Sequence, residues 1–235
     1  MSKRSKKAPV VETEDLTRVY SDHGVPVLAL AGVDLTIEAG EFTAVVGPSG
    51  SGKTTLLNLI SGLDRPTQGE VRLDGRPLTA MSGRELSDFR RDRIGFVFQA
   101  YNLIPVLTVE ENVEYIMLLQ GVAREERRER VGAILAELGI GDLGSRMPPT
   151  LSGGQQQRVA IARAIASGPA LVLADEPTAN LDSKTATDLI DMMRSLNRKR
   201  KVTFLFSTHD PRVMKGARRM IVLRDGRIDS DEVRG

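Results

Sequence analysis

Apolar residues in this chain come in short bursts separated by polar, glycine-marked turns. Four bursts are nearly continuous: Phe42-Thr43-Ala44-Val45-Val46, Ile94-Gly95-Phe96-Val97-Phe98, Ala170-Leu171-Val172-Leu173-Ala174 and Val202-Thr203-Phe204-Leu205-Phe206-Ser207. Runs this short and this apolar predict strands buried on both faces, as in a parallel sheet covered by helices. Elsewhere the spacing predicts helices over residues 55–60, 82–93, 109–120, 124–138, 156–167 and 183–197. Residues 27–30 and 33–37 read as short strands, and 11–20 as an edge strand. Residues 70–77 read as a strand running into an Asp74-Gly75 turn, and 220–228 as a hairpin. The expected fold is α/β: a mostly parallel sheet, an antiparallel β subdomain near the N-terminus, and an inserted helical subdomain over about residues 100–165. Residues 10–235 are expected to form a single domain.

One polar stretch gives this alternation a chemistry. Gly47-Pro48-Ser49-Gly50-Ser51-Gly52-Lys53-Thr54 follows a predicted buried strand and opens a predicted helix. The pattern is that of a phosphate-binding P-loop. Glycines let the backbone turn tightly and aim N–H groups into one concavity, and the helix start adds its positive dipole end. Lys53 brings a full charge to the outer phosphates, and the Thr54 hydroxyl suits Mg²⁺. The other buried runs also end on polar groups: Gln99, Asp175-Glu176 and His209. In an open α/β sheet these ends face the ligand. Asp175 suits a ligand to Mg²⁺, directly or through water, and Glu176 a general base that polarises an attacking water. Gln99 would hold Mg²⁺ or that water, and His209 would hydrogen-bond the γ-phosphate. Tyr20, one of three tyrosines, is either a stacking platform for a base or an ordinary strand aromatic.

Composition narrows the classes. The chain has 235 residues, 40% of them apolar but only 4% aromatic, so aliphatic packing must dominate the core. Lysine plus arginine number 33 and acids 31, a net charge of +2 that gives no argument for nucleic acid. There is no cysteine and there are two histidines, which excludes disulfides and thiolate sites and disfavours a His-rich metal centre. No apolar run approaches the roughly 18 residues of a membrane span. Residues 1–9 are basic without an apolar segment behind them and read as a flexible, solvated tail. The charged run 124–130 reads as a solvated helix face and 197–201 as a solvated basic turn. The expectation is a cytoplasmic chain whose membrane role would need a partner.

Leu151-Ser152-Gly153-Gly154-Gln155 is a second anion-binding pattern, a hydroxyl and two glycines at a helix start. It follows the helical insertion, away from the P-loop edge. Two chains related head to tail by a two-fold axis would sandwich two nucleotides, each between one P-loop and the other chain's Ser152-Gly153-Gly154.

With these motifs in hand, the sequence resembles the ATP-binding cassette (ABC) ATPases over nearly its whole length, from about Val11 to the C-terminal hairpin. The resemblance implies a RecA-like P-loop NTPase core that binds ATP with Mg²⁺ and hydrolyses it. It makes Gly47 to Thr54, with Thr55, the Walker A segment, Gln99 the Q-loop glutamine and Leu151 to Gln155 the signature. It also makes Leu171 to Glu176 Walker B, Ala179-Asn180-Leu181-Asp182 the D-loop, His209 the switch histidine and Tyr20 the aromatic that stacks on adenine. Mg²⁺ would fall to Thr54, Gln99 and Asp175. The stretches Gln99 to Val113 and Leu151 to Ala164 resemble the lipoprotein-releasing and macrolide-exporter group of bacterial cassettes. That likeness implies a second copy and integral membrane permease subunits as partners, no nucleic acid, and a place on the cytoplasmic face of the inner membrane. Tyr101, Leu103 and Ile104 would line a groove for a coupling helix. Importer ATPases, and cassettes of cell division or nucleic-acid maintenance, are the alternatives within the family.

Overall fold

The computed structural model describes residues 9–22 and 25–234. The basic tail expected over 1–9 lies, Pro9 apart, outside the described residues. The chain opens with two long antiparallel strands, β1 (Pro9–Asp22) and β2 (Val25–Glu38). These join β4 (Gln68–Leu73) and β5 (Arg76–Pro77) in a four-stranded sheet of order β2-β1-β4-β5. β1 is therefore an inner strand, contrary to the edge position expected. A bulge disguises it: Asp15 takes a φ of 46° and its N–H donates to Asp34 Oδ1 at 2.7 Å. The inward register then jumps from Val11 and Thr13 to Leu16, breaking the period of two. Gly32, at φ 72°, lies opposite this bulge and lets the two short strands expected at 27–30 and 33–37 run on as the single β2.

The second sheet holds β3 (Phe42–Val46), β6 (Ile94–Val97), β7 (Leu171–Asp175), β8 (Thr203–Thr208), β9 (Arg219–Arg224) and β10 (Arg227–Val233). Its order is β10-β9-β3-β8-β7-β6, parallel from β9 to β6, with β10 antiparallel as the arm of the expected hairpin. Alternate residues of these strands serve two cores. Val45, Leu171, Leu173 and Leu205 face the side that also buries α1 (Lys53–Ile60) and the antiparallel sheet. Phe42, Val172, Ala174, Phe204 and Phe206 face α5 (Gly153–Ala166) and α6 (Ser183–Arg200). Three of the six phenylalanines are spent here, with Phe42 and Phe206 edge to face at 4.5 Å between centroids. Such a pair adds about 0.5–1.5 kcal/mol beyond its buried area.

The helices are α1, α2 (Gly83–Arg93), α3 (Val109–Leu119), α4 (Arg124–Glu137), α5, α6 and a short α7 (Pro211–Gly216). α3, α4 and α5 pack together and extend the core under β7 and β8. Reciprocal capping boxes start three of them: Ser82 with Glu85, Thr108 with Glu111, and Ser152 with Gln155. The last starts α5 three residues earlier than its apolar period announces. Residues 197–200 belong to α6, not to a turn. Asn197 is buried, and its amide donates to Gly40 O at 3.0 Å and Val202 O at 2.7 Å. Only the cations beside it are exposed.

Candidate functional site

β3 runs at the centre of its sheet between β9 and β8, so its carboxyl end delivers the P-loop to the middle of the sheet edge. The loop is shaped by backbone that only glycine adopts easily. Gly52 caps α1 at φ 102°, where a Cβ would sit 2.5 Å from the Ala29 carbonyl. A Cβ on Gly47 would run into the Leu223 carbonyl, so β9 backs the loop directly. Gly226 N–H, in the β9–β10 turn, also donates to Ser51 O at 3.2 Å. Lys53 Nζ donates to the carbonyls of Gly47 and Pro48, 2.9 Å each, which holds the ammonium over the loop.

The P-loop forms one wall of an open cleft of about 320 Å³, within the range of small-molecule sites. Ser49, Gly50, Gly52, Lys53, Thr54 and Thr55 line that wall. Asp175, Glu176 and Ser207, at the ends of β7 and β8, line another. A third wall is apolar: Val27, Leu28 and Ala29 of β2. Val27 and Leu28 are exposed, unusual for such side chains on a strand, and their alternation alone did not mark them as cleft residues.

At the carboxyl end of β7, Asp175 Oδ1 accepts the Ser207 hydroxyl, which orients the carboxylate. Its Oδ2 lies 3.5 Å from Thr54 Oγ1. One hydroxyl and one carboxylate this close form a hard-oxygen pair of the kind Mg²⁺ takes when phosphates and waters complete its shell. Glu176 has a left-handed backbone, φ 48°, uncommon for its type. Its carboxylate meets His209 Nδ1 at 2.7 Å, while Thr208 Oγ1 and His209 N lie 3.4 Å from the other oxygen.

The remaining expected residues stand outside this cleft. Tyr20 is half-buried on β1, donates to Asp64 Oδ2 at 2.8 Å and carries the Arg18 guanidinium 4.5 Å from its ring centre. It pairs across the strands with Val27, the cleft residue. Gln99 is exposed just past β6, and its main-chain carbonyl accepts from Asn180 Nδ2 at 3.0 Å. Ser152 and Gln155 spend their polar atoms on each other. Gly153 and Gly154 lie against Tyr101, Leu181 and Thr185, not against the P-loop. Asp182 caps α6, accepting from Lys184 N and Thr185 N at 3.0 Å and from Thr185 Oγ1. The Thr185 hydrogen bonds hold its carboxyl below the usual range.

A second, more apolar depression of about 270 Å³ opens between β6, α3 and α5, lined by Phe96, Phe98, Asn102, Ile104, Tyr115 and Arg163 among others. Of the three residues expected to line a groove here only Ile104 does. Leu103 packs into the core, and Tyr101 is turned to Gly153 by a left-handed backbone, φ 60°.

Residues 30–179 match the ABC transporter family. The chain is 48% identical over 224 residues to the lipoprotein-releasing system ATP-binding protein LolD of Anaeromyxobacter dehalogenans, covering 95% of this chain and 94% of that one. It is 47% identical over 223 residues to the macrolide export ATP-binding/permease protein MacB of Marinobacter nauticus, covering 95% of this chain but only 34% of MacB. The chain thus spans about a third of the length of the MacB relatives it matches. Among solved structures, the ATP-binding cassette MJ0796 in a dimeric post-hydrolysis state with ADP and Pi superposes with a TM-score of 0.87 at 43% identity, over 96% of this chain and 99% of that one. Fold, P-loop and relatives agree: this chain belongs to the ABC transporter family, as an ATP-binding and ATP-hydrolysing cassette.

Proposed function

We propose that this chain binds MgATP between its P-loop and the Asp175–Glu176 edge, and that two copies close head to tail over two nucleotides. One observation carries the proposal. The chain has two anion-binding helix starts, Lys53 and Ser152, and only the first opens into the cleft. Gly153 and Gly154 open α5 against Tyr101, Leu181 and Thr185 and not against their own P-loop, so a second copy's nucleotide would complete the pair. The cassette MJ0796, solved as a dimer, supports this arrangement.

In this reading Thr54 and Asp175 would hold Mg²⁺, whose charge would offset that of the phosphates. Lys53 neutralises the outer phosphates. Glu176 accepts a hydrogen bond from the attacking water and draws off its proton as the oxygen closes on phosphorus. His209, shared between Glu176 and the γ-phosphate, reports whether that phosphate is present. Gln99 joins when the helical segment of about residues 100–165 swings towards the core, and Asp182 lies at the copy-to-copy seam. Tyr20, with Val27 and Leu28, packs the base. The apolar depression beside Ile104 and Tyr115 receives a short helix of an integral membrane permease. Dimer closure then drives that permease in export or lipoprotein release from the cytoplasmic face of the inner membrane. The names of LolD and MacB support this direction.

The test is Glu176→Gln, which keeps the site's shape and removes the base. Light scattering should show an ATP-dependent dimer of the variant that ADP does not induce. A variant that stays monomeric at saturating ATP would sink the sandwich.

A further inference from the structure

Behind the Glu176–His209 contact lies a second link between the same two loops, one that capping and packing do not require. Thr178, two residues after Glu176, is 1% exposed. Asp210, next to His209, is 8% exposed. Thr178 Oγ1 donates to Asp210 Oδ2 at 2.7 Å. Asp210 also caps α7, accepting from Arg212 N at 2.8 Å, and its carboxylate takes the Arg212 guanidinium. Those bonds from Arg212 suffice for the cap and the charge. The Thr178 hydroxyl comes from a different loop, after a different strand.

The two loops are thus joined at three successive points. Asp175 accepts from Ser207, Glu176 meets His209, and Thr178 donates to Asp210. The first joint is within the sheet, where β7 and β8 pair Asp175 with Ser207. The middle joint is at the cleft, where His209 is exposed on its loop. The third joint is in the interior. The segment is gripped from a third side as well, since Gln157 of α5, itself buried, donates to Pro177 O at 2.8 Å. Backbone turns N–H Ala179 to Glu176 O and Leu181 to Thr178 O close the loop.

We propose that Thr178 and Asp210 are positioning residues, whose buried hydrogen bond holds the Glu176 and His209 loops at the separation that hydrolysis uses. The proposal rests on the assignment of Glu176 and His209 to the hydrolytic site. It makes the left-handed turn at Glu176 intelligible: a backbone in that region persists only where its surroundings over-determine it, and the Thr178 and Gln157 bonds do so. It also gives a reason for a carboxylate in the interior. Burial opposes the charge on Asp210, yet the hydrogen bonds from Arg212 and Thr178 outweigh it and hold the carboxyl below its ordinary range, so the acceptor is fully ionised.

The experiment compares Thr178→Val, which keeps the volume and removes the donor, with Thr178→Ser, which keeps the donor. The chain has two histidines, His23 and His209, so the His209 imidazole signal is resolved by NMR and assigned by its loss in His209→Gln. Thr178→Val should shift that signal in the folded protein and lower kcat for ATP about tenfold or more, with KM changed less than about twofold. Thr178→Ser should restore both. If Thr178→Val does not fold, Thr178→Ala, which removes the same donor without a second branched methyl, carries the same two readouts. An unmoved His209 signal, or a moved one with wild-type kcat, overturns the positioning role. Full turnover in Glu176→Gln would instead overturn the site assignment beneath it.

Discussion

Arg163 anchors the backbone that connects Gln99 to the apolar depression, and its removal should unlock that segment. The guanidinium donates to Asn102 O at 2.6 Å and to Tyr101 O at 3.0 Å. Among the described residues no carboxylate pairs with it, and burial lowers its pKa. Tyr101 and Asn102 have left-handed backbones, φ 60° and 50°. For non-glycine residues that conformation costs roughly 1–2 kcal/mol each, least for Asn. Hydrogen bonds to a charged donor contribute about 1.5–3 kcal/mol apiece, so two of them offset the strain with little to spare. Arg163→Met should therefore lower the opening free energy of this turn by about 3 kcal/mol or more, which raises amide exchange at least about 100-fold. The amides to watch are Tyr101 and Asn102, whose N–H groups donate to Phe98 O and Ala100 O. Adding Asn102→Gly to Arg163→Met should recover about 1 kcal/mol by relieving the backbone. Hydrogen exchange read by mass spectrometry on a peptide spanning residues 98–104 measures both. Unchanged protection in Arg163→Met would refute the reasoning, because the guanidinium would then contribute nothing net to the turn.

Lys53→Ala removes the one full positive charge that lines the cleft among the described residues, and ATP affinity measured by calorimetry should fall about 10- to 100-fold, the loss of one charge-assisted contact. Unaltered affinity would dismiss Lys53 as a phosphate ligand. Asp182 gives a pH-dependent stability. Its folded carboxyl is held low, chiefly by Thr185, so the contribution is present above the unfolded value of about 4 and is lost as pH falls through the folded value. Urea midpoints of wild type and Asp182→Asn should differ at neutral pH and converge in acid; a gap that widens on acidification would reverse the sign.

The parts of this molecule legible in the sequence are those where one physical demand fixes local residues. A phosphate needs converging N–H groups, so Gly47 to Thr54 announces itself with its strand and helix. Double burial leaves continuous apolar runs, which marks β3, β6, β7 and β8. What escaped depends on partners distant in the chain. β1 looked like an edge because one residue, Asp15, bulges against Gly32 and breaks the alternation. α7 is only six residues long, too short for a helical period to show. Asn197 reads as a solvated turn residue until Gly40 and Val202 are seen to take its amide. The apolar wall of the cleft, Val27 to Ala29, and the cation under the second depression, Arg163, carry no motif. The Tyr101 ring turned away from its expected groove because its backbone is left-handed, a feature no side-chain pattern encodes.

The central claim is that each hydrolytic site is built from two copies, the P-loop of one and Ser152 to Gln155 of the other. Mixing Ser152→Arg chains with Lys53→Ala chains tests it most directly. Each variant alone should be inactive, with a lesion in both of its sites. In a mixed dimer one site carries both lesions and the other carries neither, so random pairing at equal concentrations should restore about a quarter of wild-type ATPase activity. A mixture that forms mixed dimers, shown by cross-linking of differently tagged chains, and yet stays as inactive as either variant alone would contradict the account.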